Sequence, residues 1–84
     1  MKLVFAEAAW QDYLYWQQQD KKMLERINKL ITHIQRDPFA GIGKPEALKH
    51  ALVGFWSRRI TDEHRLVYRI KDDELQIAQL RYHY

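Results

Sequence analysis

An α+β domain is expected from three features of this 84-residue chain. The first half carries two adjoining amphipathic helix patterns. The second half carries three strand patterns divided by tight turns. A Pro- and Gly-containing stretch, Asp37 to Pro45, separates the halves. A short strand, two helices and then three or four strands favour two N-terminal helices packed on one face of a mainly antiparallel sheet. The length fits a single domain spanning residues 1–84.

Leu3-Val4-Phe5 reads as the first short strand. The period then changes. Trp10, Tyr13, Leu14 and Gln17 recur at i, i+3, i+4 and i+7, predicting a helix with three apolar positions on one stripe. Asp20 can cap a second helix with its side-chain oxygen. Met23, Ile27, Leu30, Ile31 and Ile34 form its apolar stripe, with Lys22, Glu25, Arg26 and Lys29 opposite. A tight junction at Gln19-Asp20 makes the two helices an antiparallel hairpin. Pro38 ends the second, because the residue before a proline avoids helical geometry.

Gly41, Gly43 and Pro45 mark an irregular loop. Glu46 to Leu52 fits either a short helical turn or an irregular strand. Phe55 to Ile60, His64 to Ile70 and Glu74 to Tyr82 are rich in branched and aromatic residues and read as strands. The turns Thr61-Asp62-Glu63 and Lys71-Asp72-Asp73 should join them antiparallel. Alternation puts His64, Leu66, Tyr68 and Ile70 on the apolar face and Arg65, Val67 and Arg69 on the other, so Arg65 is expected on an open, helix-free face. In the last strand both parities carry apolar residues, and alternation does not assign His83 to a face.

Composition narrows the function classes. No apolar run approaches the roughly 20 residues that span a bilayer. Glu7 interrupts the opening Met1–Phe5 too soon for a secretory leader. The absence of cysteine removes disulfides and thiolate metal sites and suits a reducing cytoplasm. The net charge is +3. Lys44, Lys49, Arg58, Arg59, Arg65, Arg69 and Lys71 outnumber Glu46, Asp62 and Glu63 between residues 44 and 71. That stretch should present a basic surface suited to nucleic acid. The four histidines lack zinc-site spacing, and there is no Gly-rich phosphate loop or nucleophile elbow.

The closing residues Arg81-Tyr82-His83-Tyr84 supply a proton carrier that works near neutral pH. Cutting RNA through its own 2′-hydroxyl needs a base, an acid and positive charge on the phosphate, and no metal. Glu46 is the best candidate base and His83 the best candidate acid. Arg59 and Arg65 offer planar forks for phosphate oxygens. Lys44 and Lys49 flank Glu46, and neighbouring cations weaken a carboxylate as a base. The plainer reading has Glu46 paired with Lys49 on a surface turn, His83 frayed, and the arginines paired with Asp62 or Glu63.

The same residues carry a resemblance. Met1-Lys2-Leu3, Trp10, Asp12-Tyr13-Leu14-Tyr15-Trp16, Gly43-Lys44-Pro45-Glu46 and Leu48-Lys49-His50 lie along the first part of the chain. Gly54-Phe55-Trp56-Ser57-Arg58-Arg59-Ile60, His64-Arg65-Leu66-Val67-Tyr68 and Arg81-Tyr82-His83-Tyr84 follow. Together they closely resemble the YoeB toxins of bacterial toxin–antitoxin modules, within the RelE-like superfamily. The resemblance implies a microbial-ribonuclease type of fold. It implies a cytoplasmic, metal- and cofactor-independent endoribonuclease that cuts mRNA in the ribosomal A site. On that resemblance Glu46 is the general base, His83 the general acid and Arg65 the main phosphate stabiliser. Lys49 and Arg59 assist, and Tyr84 orients the substrate. The implied partners are the 70S ribosome, a YefM-like antitoxin, operator DNA through the toxin–antitoxin complex, and a second copy of the chain. Competing readings are a non-catalytic RelE-fold toxin that binds gyrase and a basic nucleic-acid-binding module without chemistry. Both expect no working acid–base pair.

Overall fold

The computed structural model describes residues 1–84. Strand β1 spans Lys2–Phe5, helix α1 Glu7–Gln19 and helix α2 Lys21–Arg36. Strand β2 is the two-residue Glu46–Ala47, followed by a 3₁₀ turn over His50–Leu52. Strands β3 (Trp56–Arg59), β4 (Arg65–Lys71) and β5 (Glu74–Gln79) complete one five-stranded sheet in the order β1-β5-β4-β3-β2. Every neighbouring pair is antiparallel except β1 and β5, which run parallel. The expected α+β class and helix hairpin are both present. Both readings of residues 46–52 are realised, strand first and helical turn second.

Asp20 alone separates the helices. Its Oδ1 accepts from the amides of Lys22 and Met23, satisfying two donors at the start of α2. The α2 stripe is buried as expected: Met23, Ile27, Leu30, Ile31 and Ile34 all enter the core. They meet Leu66, Tyr68, Leu75, Ile77 and Leu80 from the sheet side.

The stripe expected on α1 is corrected. Ala9 and Trp16 are its buried residues, while Trp10 and Gln17 are exposed. The packed face runs Ala9, Asp12, Tyr13, Trp16, again at helical spacing. Asp12 hid it, because a carboxylate is not counted as a core residue. Its Oδ2 accepts from the Leu80 amide at 3.0 Å, and Trp16 Nε1 donates to the Leu80 carbonyl at 2.9 Å. Helix α1 thus grips both backbone groups of the residue after β5.

The expected basic surface is also corrected. Arg58 belongs to the core and is 0% exposed. Its partner Leu66 points to the helix side of the sheet, and Arg58 shares that side. No carboxylate meets it. Nη2 donates to the Asp37 and Ala40 carbonyls, Nη1 to the Ile42 carbonyl, and Nε to the Tyr68 hydroxyl. The Tyr68 hydroxyl donates onward to the Pro38 carbonyl at 2.6 Å. One guanidinium therefore ties residues 37–42 to the sheet.

Burial pushes the Tyr68 hydroxyl above its ordinary 10.0, outweighing the downward pull of Arg58. A folded-state value above the unfolded one means that this contribution is full below about pH 10 and is lost as pH rises further. Tyr68→Phe should lower stability by about 1–2 kcal/mol at neutral pH. The gap between variant and parent should narrow above pH 10 in parallel urea melts; a gap that stays constant would contradict this burial effect.

Gly43 makes the closest approach in this loop. Its φ is +84°, and a Cβ there would lie 2.8 Å from Leu30 Cδ2 and 3.1 Å from Arg58 Cβ. Gly43→Ala should cost about 1–3 kcal/mol through crowding and left-handed strain, measured by thermal melting.

Candidate active site

The helix-free face of the sheet carries the candidate site. Glu46 pairs with Ser57, Ser57 with Val67, and Val67 with Gln79, so these four point to one side. Arg59 and Arg65 pair with one another two residues along and share it. The side is not open, as the alternation had suggested. Ser57, Arg65 and Val67 are all buried, Arg65 to 8% exposure. The Arg65 side chain is held under the Thr61-Asp62 turn, whose carbonyls accept from Nη1.

A register shift brings the C-terminal residues there. Val67 pairs with Gln79 but Tyr68 pairs with Ile77, leaving Ala78 as an extra residue. Such a bulge reverses the alternation beyond it. Leu80 joins Leu75 and Ile77 in the core, and Gln79 turns to the helix-free face. Strand geometry ends at Gln79. Tyr82 then adopts a left-handed conformation, φ 64°, and the chain bends.

Three residues, Arg65, His64 and Gln79, hold the bend. The Arg65 amide donates to the Tyr82 carbonyl at 3.0 Å. The Tyr82 amide donates to His64 Nδ1 at 2.8 Å. Gln79 Nε2 donates to the carbonyls of Arg81, Tyr82 and His83 at 2.9, 3.2 and 3.1 Å. Gln79 escaped the reading of the sequence, because nothing local signals the bulge that turns it outward.

Beyond the bend, His83 Nε2 lies 3.3 Å from the Asp62 carbonyl. Arg65 Nη1 donates to the same carbonyl at 3.0 Å, and also to those of Thr61 and His64. All these bonds leave from Nη1, so Nη2 keeps its hydrogens for another acceptor. Arg59 Nη1 is 3.9 Å from the Asp62 carboxylate, a long, exposed and therefore weak pairing. His83, Arg65 and Arg59 thus gather around one turn. Tyr84 continues into a groove of about 440 Å³ lined with Glu46, Leu48, Lys49, His50 and Leu52.

Glu46, Lys49, Arg59, His83 and Tyr84 are exposed, and Glu46 forms no ion pair with Lys49. His50, which lines this groove, has positive φ without being glycine, as do Lys44, two residues before Glu46, and Tyr82, two residues before Tyr84. Backbone strain of this kind clusters where side chains must be aimed. No three His, Asp or Glu side chains gather closely enough to ligate a metal ion. No helix is long and apolar enough to cross a membrane.

The family model for YoeB-like toxins of bacterial type II toxin–antitoxin systems matches residues 5–84. The toxin YoeB of Escherichia coli K12 is 62% identical over 84 residues, covering 100% of both chains. The solved YoeB/ParE toxin from Agrobacterium tumefaciens superposes with a TM-score of 0.98 at 52% identity, covering 100% of both. Staphylococcus aureus YoeB has been solved in a heterotetrameric complex with YefM, and there it aligns with a TM-score of 0.92 at 49% identity, over 100% of this chain and 98% of that one. A YoeB dimer from S. aureus has also been solved, with a TM-score of 0.93 at 49% identity over 100% of this chain and 98% of that one. A family model over nearly the whole chain, and a full-length relative at this identity, leave one assignment: the chain belongs to the YoeB-like toxins of bacterial type II toxin–antitoxin systems.

Proposed function

We propose that this toxin is an endoribonuclease that cuts mRNA in the ribosomal A site, using the ribose 2′-hydroxyl as nucleophile. One observation carries the reading. His83, Arg65 and Arg59 meet at the Asp62 turn, and the adjoining groove holds Glu46, Lys49 and Tyr84. In this reading the Glu46 carboxylate and the His83 imidazole serve one scissile linkage, with the guanidinium groups beside it.

In this reading Glu46 takes the 2′-hydroxyl proton. The 2′-oxygen attacks the adjacent phosphorus. Arg65 Nη2, with Arg59 and Lys49, receives the charge that builds on the phosphoryl oxygens. His83 gives a proton to the departing 5′-oxygen as the P–O5′ bond breaks. The products are a 2′,3′-cyclic phosphate and a free 5′-hydroxyl. Tyr84 orients the substrate from the groove it shares with Glu46. The balance of atoms and charge is met by the chain, the RNA and two proton transfers.

In this reading the ribosome has a part to play. It presents message already bent for in-line attack, and alignment contributes several kcal/mol of the barrier. Free RNA cut as fast as ribosome-bound message would defeat that part. The reading extends to a cytoplasmic setting, a YefM-like antitoxin, operator binding only within the toxin–antitoxin complex, and a homodimer. YefM complexes and a dimer described for S. aureus YoeB support the antitoxin and the second copy.

The test is a message with a single 2′-deoxy nucleotide at the cut site. It should survive at that position while neighbouring sites remain sensitive. Cleavage at the deoxy position would remove the internal nucleophile and the mechanism with it.

A further inference from the structure

We infer that His64 is a positioning residue, which holds the C-terminal turn through an unprotonated Nδ1 and so sets His83 beside Arg65. The inference rests on the reading of His83 as the proton donor.

The ring is buried and bonded at both nitrogens. The Tyr82 amide donates to Nδ1 at 2.8 Å. An amide can only donate, so Nδ1 carries no proton. Nε2 then carries it and donates to Glu63 Oε1 at 2.9 Å. Trp16 of α1 stands edge-on to the ring, with centroids 4.9 Å apart, and fixes its plane. The charged groups around the ring come from several elements. Glu63 lies on the preceding turn, Asp20 at the helix junction and Arg81 in the C-terminal segment, all lining one groove. Arg65 follows in β4 and donates to the His64 carbonyl.

Tyr82 needs this acceptor. Its left-handed backbone is disfavoured for any residue with a Cβ. The residue is held on opposite sides, its amide by His64 and its carbonyl by Arg65. Upstream, Asp12 and Trp16 pin Leu80. Downstream, the next residue is His83 itself. With Leu80 pinned and the Tyr82 amide held, the direction in which His83 leaves the sheet is set. Without the Nδ1 acceptor, the Tyr82 amide would face a group that cannot receive it, and the turn would relax. His64 touches no reacting atom in the proposed cleavage; it acts through Tyr82.

Two substitutions separate this role from simple packing. His64→Asn keeps an acceptor near the position of Nδ1 but loses most of the ring. His64→Phe keeps an aromatic ring against Trp16 but accepts nothing; His64→Leu replaces it if the phenylalanine variant does not fold. Three quantities are measured: thermal stability, ¹⁵N relaxation of the Tyr82–Tyr84 amides, and single-turnover cleavage of ribosome-bound message. The Phe variant should melt at or above the Asn variant. It should nonetheless show mobile amides at residues 82–84 and a fall in cleavage of about 10²-fold, the scale of loss from misplacing a reacting group by about 1 Å. Its ribosome affinity should be unchanged. The Asn variant should keep an ordered turn and cut faster than the Phe variant despite its lower stability. Cleavage that follows stability, or an ordered turn in the Phe variant, overturns the inference. The relaxation data decide it even if the parent protein cuts no RNA, so a failure of the nuclease reading is told apart from a failure of this one.

Discussion

Glu46→Gln and His83→Gln should each lower single-turnover cleavage of ribosome-bound message by about 10²–10⁴-fold, the range supplied by one positioned base or acid. Glutamine keeps the approximate length of either side chain and removes the proton-transfer function. Both parent residues are exposed, so stability should change by no more than about 0.5 kcal/mol. Ribosome binding should persist, because Lys49, Arg59 and Arg65 are untouched. The double variant should lose less than the product of the single losses, since base and acid serve one transition state and their effects do not add. Cells should tolerate expression of either variant where the parent arrests growth. Parental cleavage rates in both variants would leave the non-catalytic readings as the better account.

The second large effect is on folding. Arg58→Met should destabilise the protein by about 3–5 kcal/mol, the scale of breaking a buried charged network. Methionine restores the apolar volume. It strips donors from the carbonyls of Asp37, Ala40 and Ile42 and leaves the Tyr68 hydroxyl without the Nε bond. A domain of this length has little stability in reserve. Arg58→Lys should recover only part of the loss, because one ammonium cannot reach four acceptors spread along residues 37–42 and Tyr68. Urea denaturation followed by tryptophan fluorescence measures both. A loss under about 1 kcal/mol in the methionine variant would mean that water replaces the guanidinium at little cost. The effect should extend to the candidate site, since residues 37–42 lead into Lys44 and Glu46.

Some of this was legible before the fold was known. The α2 stripe from Met23 to Ile34 and the Asp20 cap were plain, because a helix repeats every 3.6 residues and a cap needs only its own neighbours. The turn at Asp72-Asp73 was equally plain. Both residues have positive φ there, which aspartate tolerates and two-residue hairpins require. The buried α1 stripe lies one helical position from the apolar pattern because Asp12 is polar yet packed. Its partner, the Leu80 backbone, lies 68 residues away.

Arg58 and Arg59 show the limit of local reading most clearly. They are adjacent and identical in type, yet one is wholly buried and the other exposed. Strand alternation separates them, but only the loop carbonyls at residues 37–42 make burial of a charge tolerable. His83 is a similar case. Its face depends on the bulge at Ala78, which exists only because β5 pairs with β4.

From its order of residues alone, this chain determined its class of fold, its second helix, its hairpins and the side chains able to carry acid–base chemistry. Those properties are set by neighbours within a few positions, through periodicity and turn stereochemistry. The tertiary structure decided which arginine is core and which faces solvent, and that the C-terminal turn lies beside Arg65. These outcomes depend on partners distant in the chain, whose hydrogen bonds either offset the burial of a polar group or fail to.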